Sequence, residues 1–278
     1  MDKNERIQRI QDMTKGYTVF SLYTRLPFVE CEKEELYDQA YLFESAEDAE
    51  AMGKEYFEEK IRLTLQELAT KDMPVCGTDG SVKTVKVNQI RQYLYLIRQL
   101  GVNAVRYKPL NEEATTIPLM EILPKELAKP LDPEVDKMTQ IQLSGIYLAQ
   151  ELRRDPKEPN IDKLIELTND YYETLVNSNI LLPVMVPEGK EKEEYLNLGE
   201  CQLPYVKSGE HTFLAVFTDP REVESYVQGQ NPRVVPIPFS DIEKICPAAC
   251  AGCMVNPMGF SLPLNKEDFR KIIEKHKK

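Results

Sequence analysis

Residues 203–226 read LPYVKSGEHTFLAVFTDPREVESY. A Leu-Pro-aromatic-Val opening leads through a short polar turn into an apolar strand that ends at Phe217. The strand runs directly into a helix start. Asp219 is placed to cap, Pro220 sits at the first helical position, where an N–H would be unsatisfied anyway, and Glu222 completes a capping box. The same order recurs at residues 26–52, LPFVECEKEELYDQAYLFESAEDAEAM. There the strand ends at Phe43, Ser45 caps, and Asp48 stands three residues on.

The echo continues downstream. Residues 82–105, VKTVKVNQIRQYLYLIRQLGVNAV, follow the plan of residues 233–256, RVVPIPFSDIEKICPAACAGCMVN. Each has a β-branched strand, a polar cap (Asn88 or Ser240), an amphipathic helix, a glycine and another apolar strand. Gly101 and Gly252 are expected as helix stops, and Ser240 with Glu243 as a second capping box. The first copy carries roughly two dozen extra residues, including PVCGTDGSVKTV, which reads as a hairpin turning at Asp79-Gly80.

Between the copies, a helix starts at Asp132-Pro133, with Val135, Met138, Ile141, Leu148 and Leu152 on one face. Two prolines in DPKEPN, residues 155–160, break it. Asn160 caps a second helix with Leu164, Leu167, Tyr171 and Leu175 as its apolar face. ILLPVMVP follows as a buried strand, and Asn265 is expected to cap a last helix. The expected fold is α+β: two related units, each a small mixed β-sheet flanked by helices, joined by a helical connector. The boundaries are 1–125 for the first unit, 126–159 for the connector and 160–278 for the second unit.

The net charge of −11, from 46 acidic against 35 basic residues, repels nucleic acid and anionic membrane on average. No apolar run approaches the ~18–20 residues of a membrane span. The amino-terminal MDKNERIQRIQDMTKGY lacks the apolar core of a secretory signal, so a cytoplasmic location is expected. With His211 and His276 as the only histidines, most histidine-based catalytic and metal schemes are excluded.

Cys246, Cys250 and Cys253 stand at C-x3-C-x2-C spacing, the spacing with which radical enzymes hold an iron–sulfur cluster. Only 25 residues follow Cys253, too few for the barrel such enzymes build downstream. A structural zinc site needs a fourth ligand, and spacing favours neither Cys201 nor His211. The remaining reading continues the helix from Asp241, so that Ile242, Ile245, Cys246, Ala249, Cys250 and Cys253 form a core stripe at helical spacing. Pro247 interrupts that helix and marks a start or a kink.

VNPMG at 255–259 reads as a tight turn between two strands. CGTDG at 76–80 lacks the phosphate-loop pattern. The acidic runs ECEKEELYDQ and EGKEKEE read as solvated faces, and the tyrosines of QYLYLIRQL and NDYYETL as amphipathic contact surface.

The second half resembles the SseB N-terminal domain family. The motifs that carry the resemblance are Phe217-Thr218-Asp219, Phe239-Ser240-Asp241 and Val255-Asn256-Pro257-Met258-Gly259, within about residues 160–278. It implies no catalytic residue and no cofactor, and makes the first half a diverged copy, with Arg106-Tyr107-Lys108-Pro109 in place of the Asn-Pro-x-Gly turn. The expectation is a cytoplasmic, non-enzymatic binding or adaptor protein with an unidentified protein partner. Its contacts are expected on the loops carrying Thr218, Asp219, Asn256 and Pro257, or between the halves. The alternative is a metal-binding or redox-thiol protein using Cys246, Cys250 and Cys253, with at least two thiols accessible in one pocket. A small-molecule sensor is a third class.

Overall fold

Strands that end on phenylalanine and pass straight into a capped helix organise both halves of the chain. The computed structural model describes residues 1–32, 36–76, 82–129, 131–154, 157, 159–189 and 196–277, and of residues 74–76, 82 and 83 the backbone alone. The chain divides into two compact units, Met1–Asp132 and Pro133–Lys278.

The first unit opens with α1 (Lys3–Asp12), capped reciprocally by Asp2 and Glu5, and β1 (Lys15–Ser21). β2 (Val29–Glu32) pairs antiparallel with β3 (Tyr37–Phe43), which hands over to α2 (Ala46–Glu58). The Ser45 hydroxyl accepts from the Asp48 N–H at 3.1 Å, as its position in the sequence requires. β4 (Leu63–Cys76) and β5 (Val82–Asn88) form a long antiparallel hairpin, whose expected turn at Asp79-Gly80 lies outside the described residues. Asn88 caps α3 (Gln89–Gln99) through the Ile90 and Arg91 amides. Ile90, Leu94, Ile97 and Leu100 are buried along one face, and Gly101, at φ 88°, ends the helix. β6 (Ala104–Lys108) lies parallel to β3, and β7 (Thr115–Pro118) returns antiparallel before the single turn α4 (Leu119–Ile122).

The second unit opens with α5 (Pro133–Leu152) packed on α6 (Ile161–Val176), whose cap is Asn160. Ile141 and Leu148 of α5 are buried, but Val135 and Leu152 at its ends are exposed, so the apolar stripe covers the middle of the helix only. β8 (Asn179–Val184) follows. β9 (Tyr205–Ser208) and β10 (His211–Val216) form a hairpin turning at Gly209-Glu210, where Gly209 takes φ 59°. α7 (Pro220–Val227), β11 (Arg233–Pro238), the single turn α8 (Ile242–Ile245), β12 (Gly252–Val255), β13 (Leu262–Asn265) and α9 (Phe269–His276) complete it.

Strand pairing repeats between the units. The order β9-β10-β12-β13, with β10 and β12 parallel and the outer pairs antiparallel, matches β2-β3-β6-β7 in order and sense. β1 meets β3 at Tyr17–Phe43, and β8 meets β10 at Leu181–Phe217. β11 pairs with β8 as β4 pairs with β1. The counterpart of RVVPIP is therefore β4, and β5 is the added strand, whereas the sequence echo aligned RVVPIP with β5.

Four local expectations are corrected. The helix from Asp241 does not run through the cysteines. It stops at Ile245, and Cys246 turns extended at φ −65°, ψ 115°, because a residue before proline is driven out of the helical region. Ser240 lies in a 3₁₀ turn, Phe239–Asp241, and no side chain caps the turn that follows. Asn265 likewise makes no capping bond; a 3₁₀ turn, Lys266–Asp268, intervenes before α9.

Gly252 is not a helix stop but part of β12, where β13 crosses so closely that a Cβ would fall 1.9 Å from the Leu264 carbonyl oxygen. Gly252→Ala is therefore expected to destabilise the second unit by about 3 kcal/mol, readable as a lowered urea midpoint. A midpoint unchanged from wild type would contradict that close approach.

Candidate functional site

In each unit two parallel strands end side by side, and their carbonyl ends meet the following loops. In the second unit these loops carry Thr218 and Asn256. Asn256 stands at φ 48°, a left-handed conformation that asparagine tolerates better than most residues. Its N–H donates to the Val216 carbonyl at 2.9 Å, and its carbonyl accepts from Gly259 and Ser261 at 2.9 and 3.0 Å. Its Oδ1 accepts from the Thr218 N–H at 3.0 Å, and its Nδ2 donates to Thr218 Oγ1 at 2.8 Å. Both side chains are wholly buried.

The network extends into α7. Thr218 Oγ1 donates to Asp219 Oδ2 at 3.2 Å, while Asp219 Oδ1 caps α7 at the Glu222 N–H, 3.1 Å away. Gln142, buried on α5, donates from Nε2 to Asp219 Oδ2. One helical turn on, the absence of a side chain at Gly145 lets the Phe260 ring lie against α5; a Cβ there would stand 2.6 Å from the ring.

Glu222 is 3% exposed, and its Oε1 takes a 2.8 Å ion pair from Arg221 Nη2. The loop after Asn256 covers it so closely that a Cβ on Gly259 would sit 2.8 Å from Oε2. Burial pushes the Glu222 carboxyl up to about 7; neighbouring Asp219 adds to this, while Arg221 and Gln142 oppose it.

The structure thus brings together Thr218, Asp219 and Asn256 of the residues expected from sequence, and it engages them with one another. Pro257 is half-buried at the rim, and Met258 beside it is 41% exposed. Sequence reasoning missed Glu222 as anything but a capping residue. It missed Gln142 altogether, because nothing local marks a helix residue that reaches a partner 77 positions away.

At the corresponding corner of the first unit, Glu44 follows Phe43, and its N–H donates to the Lys108 carbonyl at 3.1 Å. Its carboxylate accepts from the Arg9 guanidinium, the Tyr107 hydroxyl and, at 2.9 Å, the Leu110 N–H. Burial acts to raise the Glu44 carboxyl, but these donors outweigh it and hold the group below its ordinary value.

Cys246 and Cys250 are each 5% exposed, and Cys253 is fully buried in β12. Cys246 Sγ donates to the Gly252 carbonyl at 3.4 Å, and Lys266 Nζ ties down the Cys246 and Pro247 carbonyls at 3.0 and 3.1 Å. Burial pushes the Cys246 thiol up to about 11 and the Cys250 and Cys253 thiols upward as well, against a smaller opposing pull from Lys266 on the first two. These are protonated core thiols, and the accessibility required by the redox-thiol alternative is not met. Among the described residues no group of three His, Cys, Asp or Glu side chains is placed to hold a metal ion. Cys201 Sγ turns to the Asn197 carbonyl, and His211 stacks edge-on with Phe213.

Residues 166–270, from within α6 into α9, match the family model of the SseB protein N-terminal domain. Solved structures similar to the chain include Tic22 from Plasmodium falciparum, 9% identical, covering 85% of this chain and 84% of that one, with a TM-score of 0.21. Anabaena Tic22 (protein transport) is 12% identical over 85% of this chain and 83% of that one, with a TM-score of 0.19. No curated protein matches the chain. No described helix is long and apolar enough to cross a membrane.

Because the folded-state value of Glu222, about 7, lies above the ordinary 4.5, the folded unit holds this proton more tightly than the unfolded chain. The contribution is complete below the ordinary value and is lost as pH rises through the folded one. Between about pH 5 and pH 8 the second unit is expected to lose on the order of 3 kcal/mol from this group. Glu222→Gln should flatten that part of the stability profile in urea titrations across the range. An unaltered profile in the variant would refute the assignment.

Proposed function

We propose that the chain is a non-enzymatic protein-binding adaptor of SseB type, working in the cytoplasm, with its first unit a diverged copy of the second. One observation carries this reading: at the second unit's corner Thr218, Asp219, Asn256 and the Gln142 amide nitrogen are spent on one another, with Gln142 Oε1 buried and unpartnered. Thr218, Asn256 and Gln142 are buried and bonded within the fold, and Glu222 lies under the Gly259 loop. The loop after Asn256 offers solvent Pro257 and the apolar side chain of Met258, a surface suited to contact. The repeated strand order supports the diverged copy. Buried free thiols fit a reducing compartment, and the net charge of −11 argues against nucleic acid and anionic membrane as partners.

A photo-crosslinking residue at position 258 in the full chain tests the reading. The expected result is one discrete protein adduct that excess unlabelled chain competes away. A catalytic turnover abolished by Glu222→Gln or Cys246→Ser would overturn it.

The thiol arrangement gives a separate expectation. Under native conditions a maleimide should modify Cys31 and Cys201 and leave Cys246, Cys250 and Cys253 unreacted until the unit unfolds. Native labelling of Cys246 or Cys250 at the rate of Cys31 would revive the redox-thiol alternative.

A further inference from the structure

Helix α6 carries two apolar rows. Tyr171 and Leu175 face the core and are wholly buried. On a different face, Ile161 and Ile165 stand one turn apart with 57% and 56% of their surface exposed. At 100° per residue the second row continues through Thr168 to Tyr172. Asp162, Glu166 and Asp170 flank it at four-residue spacing, and among the described residues none of the three has an ion-pair partner. Burial first, and then Glu166 and Glu173, raise the Asp170 carboxyl, as expected where acids crowd without a compensating cation.

The carboxyl-terminal end of this row is already covered. The basic helix α9 lies there, with Lys275 Nζ donating to Asn169 Oδ1 at 2.8 Å and His276 packed edge-on against Tyr172 at 5.8 Å between ring centroids. Asn177 Nδ2 holds the His276 carbonyl at 2.8 Å. The chain itself therefore shows what this face of α6 accepts: a helix with an apolar side and lysines at its edge. The amino-terminal continuation, at Ile161 and Ile165, has the same angular position and the same acidic border, and among the described residues no element covers it.

We propose that the α6 row formed by Ile161 and Ile165, bordered by Asp162, Glu166 and Asp170, is a docking surface for a basic amphipathic helix of a protein partner. The partner helix continues the seam that α9 begins. Exposed isoleucines supply the apolar contact, and the carboxylates select a lysine- or arginine-bordered helix over an acidic one. This rests on the protein-binding reading and names the chemistry of the partner.

The test uses the full chain and a fluorescent synthetic helix of leucine and lysine in amphipathic register, with a leucine–glutamate helix of the same pattern as counterpart. Binding of the lysine peptide is expected, and of the glutamate peptide not. Ile161→Ser with Ile165→Ser, and separately Asp162→Asn with Glu166→Gln, should each weaken binding about tenfold or more. Glu47→Gln with Glu50→Gln, exposed on α2, should leave it within about twofold. All these positions are exposed, so the fold is retained, which circular dichroism verifies. Equal weakening by the α2 pair would reduce the binding to bulk charge and overturn the proposal. So would indifference to the isoleucine pair, or a dimer in sedimentation that the isoleucine pair splits, since the occupant would then be a second copy. If the position-258 adduct forms and survives the α6 substitutions, this docking surface falls and the protein-binding reading stands.

Discussion

The exchange of hydrogen bonds between Thr218 and Asn256 holds the second unit's parallel strand pair at its carbonyl end. Parallel strands cannot be joined by a tight turn, so β10 and β12 are separated in sequence by α7, β11 and α8. Nothing in the ladder itself closes the loops that leave them. Asn256 does so by committing both backbone groups and both side-chain heteroatoms at once, from a left-handed conformation. In an interior where each unpaired polar group costs about 1–3 kcal/mol, the exchange is stable because every polar atom of Asn256 is engaged. The first unit meets the same constraint with a carboxylate: Glu44 collects Arg9, Tyr107 and Leu110.

A half-buried carboxylate in the first unit and a buried one in the second are thus driven in opposite directions. Glu44 has a guanidinium, a hydroxyl and an amide donating to it and remains charged. Glu222 has one ion-pair partner, a neighbouring aspartate and a loop pressed onto it, so burial prevails. The difference is one of both donors and depth: Glu222 is buried more deeply and has fewer groups donating to it. It makes the second corner sensitive to pH while the first is a fixed ion pair.

What the sequence made legible was local. Ser45, Asn88, Asn160 and Asp219 announce their helices because capping is read by the next three amides, and each makes the bond expected of it. The strand ends at Phe43 and Phe217 and the turn at Asn256 were legible for the same reason. What failed was also physical. Helical spacing placed Cys246, Cys250 and Cys253 on one stripe, but Pro247 forces Cys246 out of the helix, and burial is reached through a loop and a strand instead. Gly252 looked like a stop because the crossing backbone of β13 leaves no trace in sequence. Gln142 and the covering of Glu222 depend on packing between segments far apart in the chain, which periodicity does not encode. The counterpart of β11 needed the sheet itself: β5 looks like RVVPIP in sequence, but β4 is the strand that pairs with β1 as β11 pairs with β8.

The most direct test of the central claim is hydrogen exchange at the Thr218 amide. Its N–H donates to a buried side-chain oxygen rather than to a ladder carbonyl, yet the account makes it as protected as the amides of β10 and β12. Exchange as slow as at Leu214 and Val255, becoming fast in Asn256→Ala, is the predicted result. Exchange of the wild-type Thr218 amide at the rate of an exposed loop would contradict the claim that this pair holds the strand ends.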